Sequence, residues 1–310
     1  MHIINSNIAQ LDFHELTVAD KKTLQGITLT AGRRNCNFTF ANLVGWRGWF
    51  STEVCVWQET VVFRFTMERR KVYMLCSAHP ATRQLLQLLC DDAREDGEGV
   101  QLVCLEDTQA AEIKSVWPGV VAITPQRDQY NYIYLRQDLA ELKGKHLKAK
   151  RNHVNQFLSS HAGFRYYDLT PALFDKCRRL HERWRSEVQR DDIKYNLTAD
   201  AEQRAMETMF KYWGELEMRG GCIMVGEELV AFTCGAPVTD DTFDVCIEKA
   251  DRAVDGAFNI INQQFAAHLP EQYRYINREE DMGLEGLRKS KLSYHPYELL
   301  TFNRVELTCV

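Results

Sequence analysis

Acidic and basic side chains are concentrated near the end of the chain, in the stretch INREEDMGLEGLRKSKLSYHP (276–296). Two glycines, Gly283 and Gly286, interrupt this stretch, and glycine permits a positive φ or a close approach of the backbone to a ligand. Basic residues follow on a predicted short helix, and arginine suits bidentate recognition of phosphate or carboxylate. The alternative is an exposed helix of self-compensating ion pairs, but such pairs contribute little and require no paired glycines. We therefore interpret the stretch as a ligand-binding loop that leads into a helix.

The candidate residues of this charged stretch divide into three roles. The catalytic candidates are Arg278 and Glu280. The pocket candidates are Asn277, Asp281, Gly283 and Tyr294. The candidates for binding an anionic donor or acceptor are Arg288, Lys289 and Lys291.

A second candidate site lies at the end of a predicted strand, in the stretch CIEKAD (246–251). An acidic residue there, before a loop and a helix, is well placed to point into a crevice, so Glu248 is a candidate general base or amine-binding group. The alternative is a salt bridge at the rim with Lys249 or Arg252. The loop that follows reaches a predicted helix at Gly256, and a helix N-terminus with a glycine can hold a phosphate or polarise an oxyanion. Arg252 and Gly256 are therefore phosphate-binding candidates.

The third candidate region is basic, LKGKHLKAKRNHVNQF (142–157). On a helix, Leu147 and Val154 begin an apolar stripe, but Lys150 and Arg151 occupy positions where further apolar residues are expected. Either the stems of these cations lie along the core and their charges reach solvent, or they contact an anionic ligand. The phosphate-binding candidates of this region are Lys148, Lys150, Arg151 and Asn152. Its two histidines do not have the spacing that metal binding on a helix requires, so no metal site is expected.

The composition is that of a globular protein with material for about two domains. The chain has 310 residues, of which 45% are hydrophobic and 26% charged, and its net charge is −5. This balance excludes a protein that coats nucleic acid over its whole surface, but it permits a local basic patch. No apolar run is long enough to span a membrane, and no signal peptide is recognised. The ten cysteines form no C-x-x-C pair, so we expect buried thiols in a reducing cytoplasm rather than a zinc site.

Each half of the sequence shows a meander of strands, a helix and a further strand. This alternation predicts an α/β (α+β) protein of two similar modules, 1–141 and 142–310. In the second half, a predicted helix from Ala199 to Arg219 ends at the pair Gly220-Gly221, because glycine commonly follows the last turn of a helix.

Four stretches together resemble the phosphatidylglycerol lysyltransferase C-terminal domain family: NFTFANLVGWR (37–47), the basic region (142–157), CIEKAD with GAFNIINQQF (246–265), and the charged stretch (276–296). The resemblance covers most of the chain. It implies two tandem modules of the acetyltransferase-like (GNAT) fold, each a mixed, mainly antiparallel sheet flanked by helices. The best-understood members are membrane proteins that transfer an amino acid from charged tRNA to the glycerol hydroxyl of phosphatidylglycerol. Peptidoglycan-bridge aminoacyl ligases have a similar double fold and also use aminoacyl-tRNA.

The sequence departs from the family pattern in two respects. It lacks the membrane-spanning half of the lipid-modifying members, so the expected acceptor is a small molecule or a lipid headgroup, and the expected location is cytoplasmic or peripheral to the inner membrane face. It also lacks the acyl-CoA pyrophosphate loop, Gln/Arg-x-x-Gly-x-Gly/Ala, because Arg252 is one residue too far from Gly256. Aminoacyl-tRNA is therefore the expected donor, acyl-CoA is the alternative, and no tightly bound cofactor is expected.

Three functions are compatible with these residues. The first is an aminoacyl-tRNA-dependent transferase that positions an already activated ester. In that function the basic side chains hold phosphates or an anionic acceptor. Glu248 or Glu280 takes the acceptor's proton or binds the donor amine. Backbone N–H groups near Gly256 or Gly283 stabilise the oxyanion. The second is an acyl-CoA N-acyltransferase that acts on a small amine. The third is a binding module that keeps the fold without the chemistry; in all three, the N-terminal module is expected to be a scaffold.

Overall fold

The computed structural model describes residues 10–67, 70–94, 99–188 and 193–309, with their side chains except within 187–198. The described strands form two seven-stranded sheets. Contacts within the chain group it into two compact units. The first unit holds the described residues up to Arg33, Trp46–Tyr130 and the residues from Leu300 onward. The second unit holds Arg34–Gly45 and Asn131–Leu299.

The first unit is built on a mixed sheet. Its strands are β1 (His14–Glu15), β2 (Glu53–Trp57), β3 (Thr60–Met67), β4 (Arg70–Cys76), β5 (Val100–Leu105), β6 (Val120–Pro125) and the last strand of the chain, β14 (Asn303–Leu307). They lie in the order β1-β2-β3-β4-β5-β14-β6. The helices are α1 (Lys21–Ala31), α2 (Phe40–Phe50), α3 (Arg83–Ala93) and α4 (Asp107–Val116), and the residues of α2 up to Gly45 group with the second unit. The apolar face of α3, with Leu85 and Leu89 fully buried, packs into the core of this unit.

The second unit is built on the other sheet. Its strands are β7 (Asn131–Leu135), β8 (Arg165–Asp168), β9 (Arg219–Val225), β10 (Glu228–Pro237), β11 (Thr242–Ala250), β12 (Tyr275–Asn277) and β13 (Glu298–Leu300). They lie in the order β13-β7-β12-β11-β10-β9-β8. The helices are α5 (Arg136–Glu141), α6 (Lys148–Ser160), α7 (Phe174–Val188), α8 (Ile193–Lys211), α9 (Ala257–His268) and α10 (Glu285–Leu292). Of the helices in the described ranges, none has both the length and the hydropathy needed to cross a bilayer.

The two compact units differ from the sequential division at residue 141. The strand β7 pairs antiparallel with β12, with Tyr134 opposite Ile276, so it belongs to the second sheet. The strand β14 pairs with both β5 and β6, so the end of the chain belongs to the first sheet. The physical reason is that pairing between strands distant in sequence, and not their order, decides which sheet a strand joins.

The pair Gly220-Gly221 lies within a strand and does not end a helix as predicted. The helix α8 already ends at Lys211, and both glycines belong to β9. A Cβ on Gly220 would lie 2.7 Å from the carbonyl oxygen of Thr233, and a Cβ on Gly221 would lie 2.2 Å from the hydroxyl oxygen of Tyr166. Close packing against neighbouring strands therefore accounts for these glycines.

The strands β11 and β12 run parallel and then part. Their last register pair joins Asp244 to Asn277, after which β12 ends while β11 continues to Ala250. The side-chain oxygen of Asn277 accepts the backbone N–H of Glu279 at 2.7 Å, a local turn that leads the chain away from β11. The sheet thus opens at the carboxyl ends of two parallel strands, which is where open α/β sheets bind ligands.

A β-bulge lies beside this parting point. Two residues of β11, Val245 and Cys246, stand opposite the single residue Gly235 of β10. A Cβ on Gly235 would lie 1.8 Å from the carbonyl oxygen of Asp244, so only glycine fits the bulge. Bulges bend a strand and re-aim its side chains, and this one sets the directions of the residues that follow Asp244.

A buried histidine without hydrogen-bond partners lies on α7. The side chain of His181 is fully buried, and neither ring nitrogen has a partner in the part of the chain that the structure describes. Burial, and then the ammonium of Lys249, lowers the pKa of His181 to about 4. The imidazole is therefore neutral at neutral pH.

We predict that Gly235→Ala lowers the free energy of unfolding by about 3 kcal/mol or more, because the added methyl group meets backbone rather than a movable side chain. Gly26→Ala is the control. Gly26 lies inside α1 with nothing within 4 Å of its Cβ position, so this change is expected to stabilise by up to about 1 kcal/mol. Chemical denaturation of both variants measures the difference, and equal stabilities would contradict the bulge geometry.

We also predict a pH dependence of stability that comes from His181. Between about pH 6.5 and pH 4 the unfolded chain takes up a proton at this residue and the folded chain does not. The folded state therefore loses up to about 3 kcal/mol as the pH falls through this range. His181→Leu should remove that loss, whereas His79→Leu, at an exposed histidine, should leave it in place. Denaturant unfolding at several pH values tests this, and identical pH profiles for wild type and His181→Leu would refute it.

Candidate active site

Two groups of polar side chains meet where β11 and β12 part. The first, here called the arginine cluster, consists of Glu248, Arg278, Asn262, Tyr294 and Tyr134. The second, here called the acidic cluster, consists of Asp244, Cys246, Glu279, Thr39 and Asn42. The neighbouring residues Arg278 and Glu279 contribute to different clusters; both follow the end of β12, and Glu279 has a φ of +55° in the turn.

An ion pair between the two strands is the centre of the arginine cluster. A guanidinium N–H of Arg278 donates to Oε1 of Glu248 at 2.8 Å, and each side chain is 13% exposed. With its amide turned so that the oxygen faces Arg278, Asn262, on α9, accepts from Nε and Nη1 of the guanidinium at 3.2 and 3.3 Å. Burial opposes the charge of Arg278, but Glu248 and nearby tyrosines raise the pKa of the guanidinium. The pair is thus a charged recognition element held mostly out of water.

Aromatic rings and a lysine complete this cluster. The ring centroid of Tyr294 lies 5.0 Å from Cζ of Arg278, and Nζ of Lys150 lies 4.1 Å from the same centroid. The side-chain amide of Asn259 donates to the Tyr294 hydroxyl at 2.7 Å, and burial raises the pKa of that hydroxyl to about 12. Burial, and then Arg278, lowers the pKa of Lys150. The cation that interrupts the apolar stripe of α6 therefore packs on an aromatic face at the candidate site.

Several cations of the predicted phosphate-binding set bond within the protein. Arg151 donates to the carbonyl oxygens of Leu142 and Gly144, which anchors the loop before α6. Arg288 binds both carboxylate oxygens of Asp281 at 2.9 Å. Their guanidinium groups therefore have structural partners already, and their contribution to phosphate binding stays a prediction.

The buried carboxylate of Asp281 organises the loop between β12 and α10. Besides Arg288, it accepts the hydroxyl of Tyr132 at 2.6 Å and the backbone N–H of Gly283 at 3.0 Å. Lys291 is also buried, and its ammonium donates to the carbonyl oxygens of Arg278, at 2.6 Å, and of Glu280. Gly283 has a φ of +74°, which the tight turn requires. Gly283 and the buried charges of Asp281 and Lys291 thus hold Arg278 and Glu279 in position.

The remaining predicted residues lie at the surface or near the strand ends. The exposed ones are Lys148, Asn152, Arg252 and Lys289. Asn277 is buried and donates to the side chain of Asn131 at 2.9 Å. Glu280 is half-buried, and Oε2 of its carboxylate lies 3.5 Å from the thiol of Cys36.

Gly256 begins α9 with a φ of +81° and packs closely against α6. Its Cβ position lies 2.7 Å from the carbonyl oxygen of His153, so a side chain would not fit. Within this turn, the N–H groups of Ala257 and Asn259 donate to the carbonyl oxygens of Val254 and Gly256. Two of the N–H groups that a phosphate or an oxyanion would need are therefore engaged.

The acidic cluster was not predicted from the sequence. The hydroxyl of Thr39 donates to Oδ2 of Asp244 at 2.7 Å, and the amide of Asn42 donates to Asp244 at 2.9 Å and to Glu279 at 2.7 Å. Burial raises the pKa of Asp244 to about 8. Burial, and then the neighbouring Asp244, also raises the pKa values of Glu279 and Cys246. The available signal was an aspartate inside an otherwise apolar strand, TFDVCI (242–247).

Comparisons with known proteins agree with this architecture. A crystal structure of a conserved protein of unknown function from Bacteroides thetaiotaomicron is 35% identical, with a TM-score of 0.90, and the match covers 96% of this chain and 100% of that one. L-PGS from Bacillus licheniformis is 12% identical, with a TM-score of 0.62 over 97% of this chain and 94% of that one. A tandem GNAT protein from the clavulanic acid biosynthesis pathway is 12% identical, with a TM-score of 0.50 over 96% and 98% of the two chains. No curated protein matches.

The two sheets, each mixed and flanked by helices, thus form a tandem GNAT-like fold, and the fold class predicted from the sequence is confirmed. Fold and family together support an acyltransferase-like role. The profile of the family described as "Phosphatidylglycerol lysyltransferase, C-terminal" matches residues 30–303, so the chain belongs to that family.

Proposed function

We propose that this protein is an aminoacyltransferase that takes its aminoacyl group from charged tRNA and passes it to a small-molecule or lipid-headgroup acceptor. The observation that supports this most is the Glu248–Arg278 pair, which stands where β11 and β12 part. The pair places a carboxylate and a guanidinium side by side, which matches a donor that carries an ammonium group next to an ester. A simple acyl donor has no ammonium group for the carboxylate to bind.

Each member of the pair has a proposed role in donor binding. Oε1 of Glu248 accepts from Arg278, and Oε2, which lies 3.5 Å from the side-chain amide of Asn262, is proposed to accept from the α-ammonium of the aminoacyl group. The guanidinium of Arg278, in a largely water-excluded position, stabilises the negative charge that develops on the ester carbonyl oxygen. The N–H groups of Gly283 and Ala257 donate elsewhere, so Arg278 is better suited to this task than the backbone near either glycine.

The acceptor's proton requires a separate group. The carboxylate of Glu280 is half-buried and follows Arg278 by two residues, so we assign it the role of general base. The ester of an aminoacyl-tRNA is already activated, and the protein's main contribution is to align donor, acceptor and base. No role in this scheme requires a bound cofactor.

The tRNA phosphates need exposed cations. Lys148 on α6, Arg252 before α9 and Lys289 on α10 are exposed and come from three elements of the second unit. Lys145, just before α6, is exposed as well. Exposed lysines and arginines are suited to sequence-independent phosphate contacts, which position a nucleic acid without reading its bases.

Acyl-CoA is the competing donor. The turn before α9, where a pyrophosphate would bind, already uses the N–H groups of Ala257 and Asn259. Gly256 is packed against α6, which restricts access to its backbone. These contacts favour tRNA over acyl-CoA as the donor.

We predict that Lys148→Ala with Lys289→Ala weakens tRNA binding and flattens its salt dependence. The slope of log Kd against log salt should fall by about 0.9 for each phosphate that the protein no longer neutralises. The measurement is a titration with bulk charged tRNA at several salt concentrations. The matched control is Lys22→Ala with Lys114→Ala, which removes two exposed lysines of the first unit. If both double variants have the wild-type slope, or if the protein binds acetyl-CoA and not tRNA, the proposal is wrong.

We also predict that Glu248 binds the donor's ammonium group. Wild type should bind aminoacyl-tRNA about 10-fold more tightly than N-acetylaminoacyl-tRNA, because a hydrogen bond to a charged group contributes about 1.5 kcal/mol or more. Glu248→Gln, which keeps the shape of the side chain, should abolish this preference. Glu280→Gln should retain it, since its proposed role is in the transfer step. A preference that survives Glu248→Gln would assign the ammonium to another residue.

A further inference from the structure

The contacts of the acidic cluster support a second proposal, which does not depend on the proposed function. We propose that the cluster binds one zinc ion through a carboxylate oxygen of Asp244, the thiolate sulfur of Cys246 and a carboxylate oxygen of Glu279. Neither Glu248 nor Arg278, the pair assigned to the donor, belongs to this set. The zinc site would therefore stand even if the donor is not aminoacyl-tRNA.

The geometry of the three donor atoms suits a small cation. One ligand atom from each side chain can be chosen such that all three lie within 4.8 Å of one another. Zinc binds oxygen and sulfur at about 2.0–2.3 Å, so tetrahedral ligands stand about 3.5 Å apart. Atoms within 4.8 Å of one another are thus near enough to share one ion once the side chains close around it.

Two buried oxygen atoms at the cluster have no hydrogen-bond donor among the described residues. They are Oδ1 of Asp244, in a fully buried side chain, and Oδ1 of Asn42, in a side chain that is 9% exposed. The Asn42 amide already contacts the carboxylates of Asp244 and Glu279 through its nitrogen. The ionised carboxylate of Asp244 only accepts hydrogen bonds, so a bound cation would satisfy its Oδ1. Asn42 presents its nitrogen to the carboxylates, so its oxygen would become a fourth ligand only after the amide rotates.

The local charge also favours a cation. Three ionisable acids sit together in a mostly buried position, which is unfavourable unless protons or a positive charge neutralise them. Lys291 is the nearby cation, but the hydrogen bonds of its ammonium go to the backbone carbonyls of Arg278 and Glu280. A divalent ion would neutralise the negative charge of these acids by direct contact, which the ammonium of Lys291 does not do.

The ligand types and their exposure favour zinc over calcium or magnesium. A thiolate is a soft ligand that zinc accepts, whereas calcium and magnesium prefer oxygen alone. Cys246 and Glu279 are partly exposed, so an ion can reach them from solvent, and Asp244 closes the buried side. The thiol sulfur of Cys246, two residues after Asp244 on β11, lies 3.7 Å from Oδ2 of Asp244.

The test is zinc titration of the whole protein after its metal has been removed by a chelator. Competition with a chromogenic zinc indicator should give one zinc per chain for the wild type. Cobalt substituted for zinc should give a sulfur-to-cobalt charge-transfer band in the near ultraviolet, which reports a thiolate ligand. Cys246→Ser should lose the band and weaken zinc binding at least about 10-fold. Cys309→Ser, at the other partly exposed cysteine of the described chain, should change neither.

A second measurement covers the case in which Cys246→Ser does not fold. Bound zinc should slow the alkylation of Cys246 in the wild type, as mapped by mass spectrometry, without slowing that of Cys309. The proposal is overturned if the wild type retains no zinc, if the cobalt band is absent, if Cys246→Ser binds zinc as tightly as wild type, or if zinc leaves the alkylation of Cys246 unchanged.

Discussion

The candidate site of the second unit is organised around the point where two parallel strands, β11 and β12, separate. Asp244 and Asn277 form the last register pair of the two strands. Beyond it β11 continues and β12 turns away, so their backbones are no longer paired. The bulge opposite Gly235 occurs at the same level, and a single methyl group there would meet the carbonyl oxygen of Asp244. These two backbone features decide which side chains face each other. The chemistry of the site follows from them.

Three charged residues of the C-terminal stretch, Asp281, Arg288 and Lys291, hold this opening in shape. Asp281 binds Arg288, and Lys291 binds backbone carbonyls, so the loop after β12 is fixed by hydrogen bonds from buried charged groups. Breaking such contacts leaves an unpaired charge in a dry environment, which is costly. The loop therefore presents Arg278 to one cluster and Glu279 to the other with little freedom. Precise placement of this kind is what a positioning mechanism of catalysis needs.

The two clusters differ in the way their charges are balanced. In the arginine cluster the carboxylate of Glu248 has a guanidinium partner at 2.8 Å, and tyrosine rings and Lys150 surround the pair. In the acidic cluster the donors to Asp244 and Glu279 are neutral groups, the hydroxyl of Thr39 and the amide of Asn42. A charge that is paired recognises an incoming polar group, whereas buried acids held by neutral donors favour a proton or a metal ion. The family membership accounts for neither arrangement by itself, since a fold does not specify the chemistry placed on it.

Local patterns in the sequence were enough to predict the fold class and the segments that carry charge. Periodicity and turn residues are local signals, and Glu248, Arg278 and the loop up to Lys291 could be singled out from them. The folded structure was needed to establish which strands join which sheet, as β7 and β14 show, and that Gly220 and Gly221 lie inside a strand. It also decided that Lys150 packs on Tyr294, that Arg151 anchors its own loop, and that Asp244, Cys246 and Glu279 meet Thr39 and Asn42. The reason is that these contacts join residues far apart in the chain, and local sequence patterns do not encode such pairings.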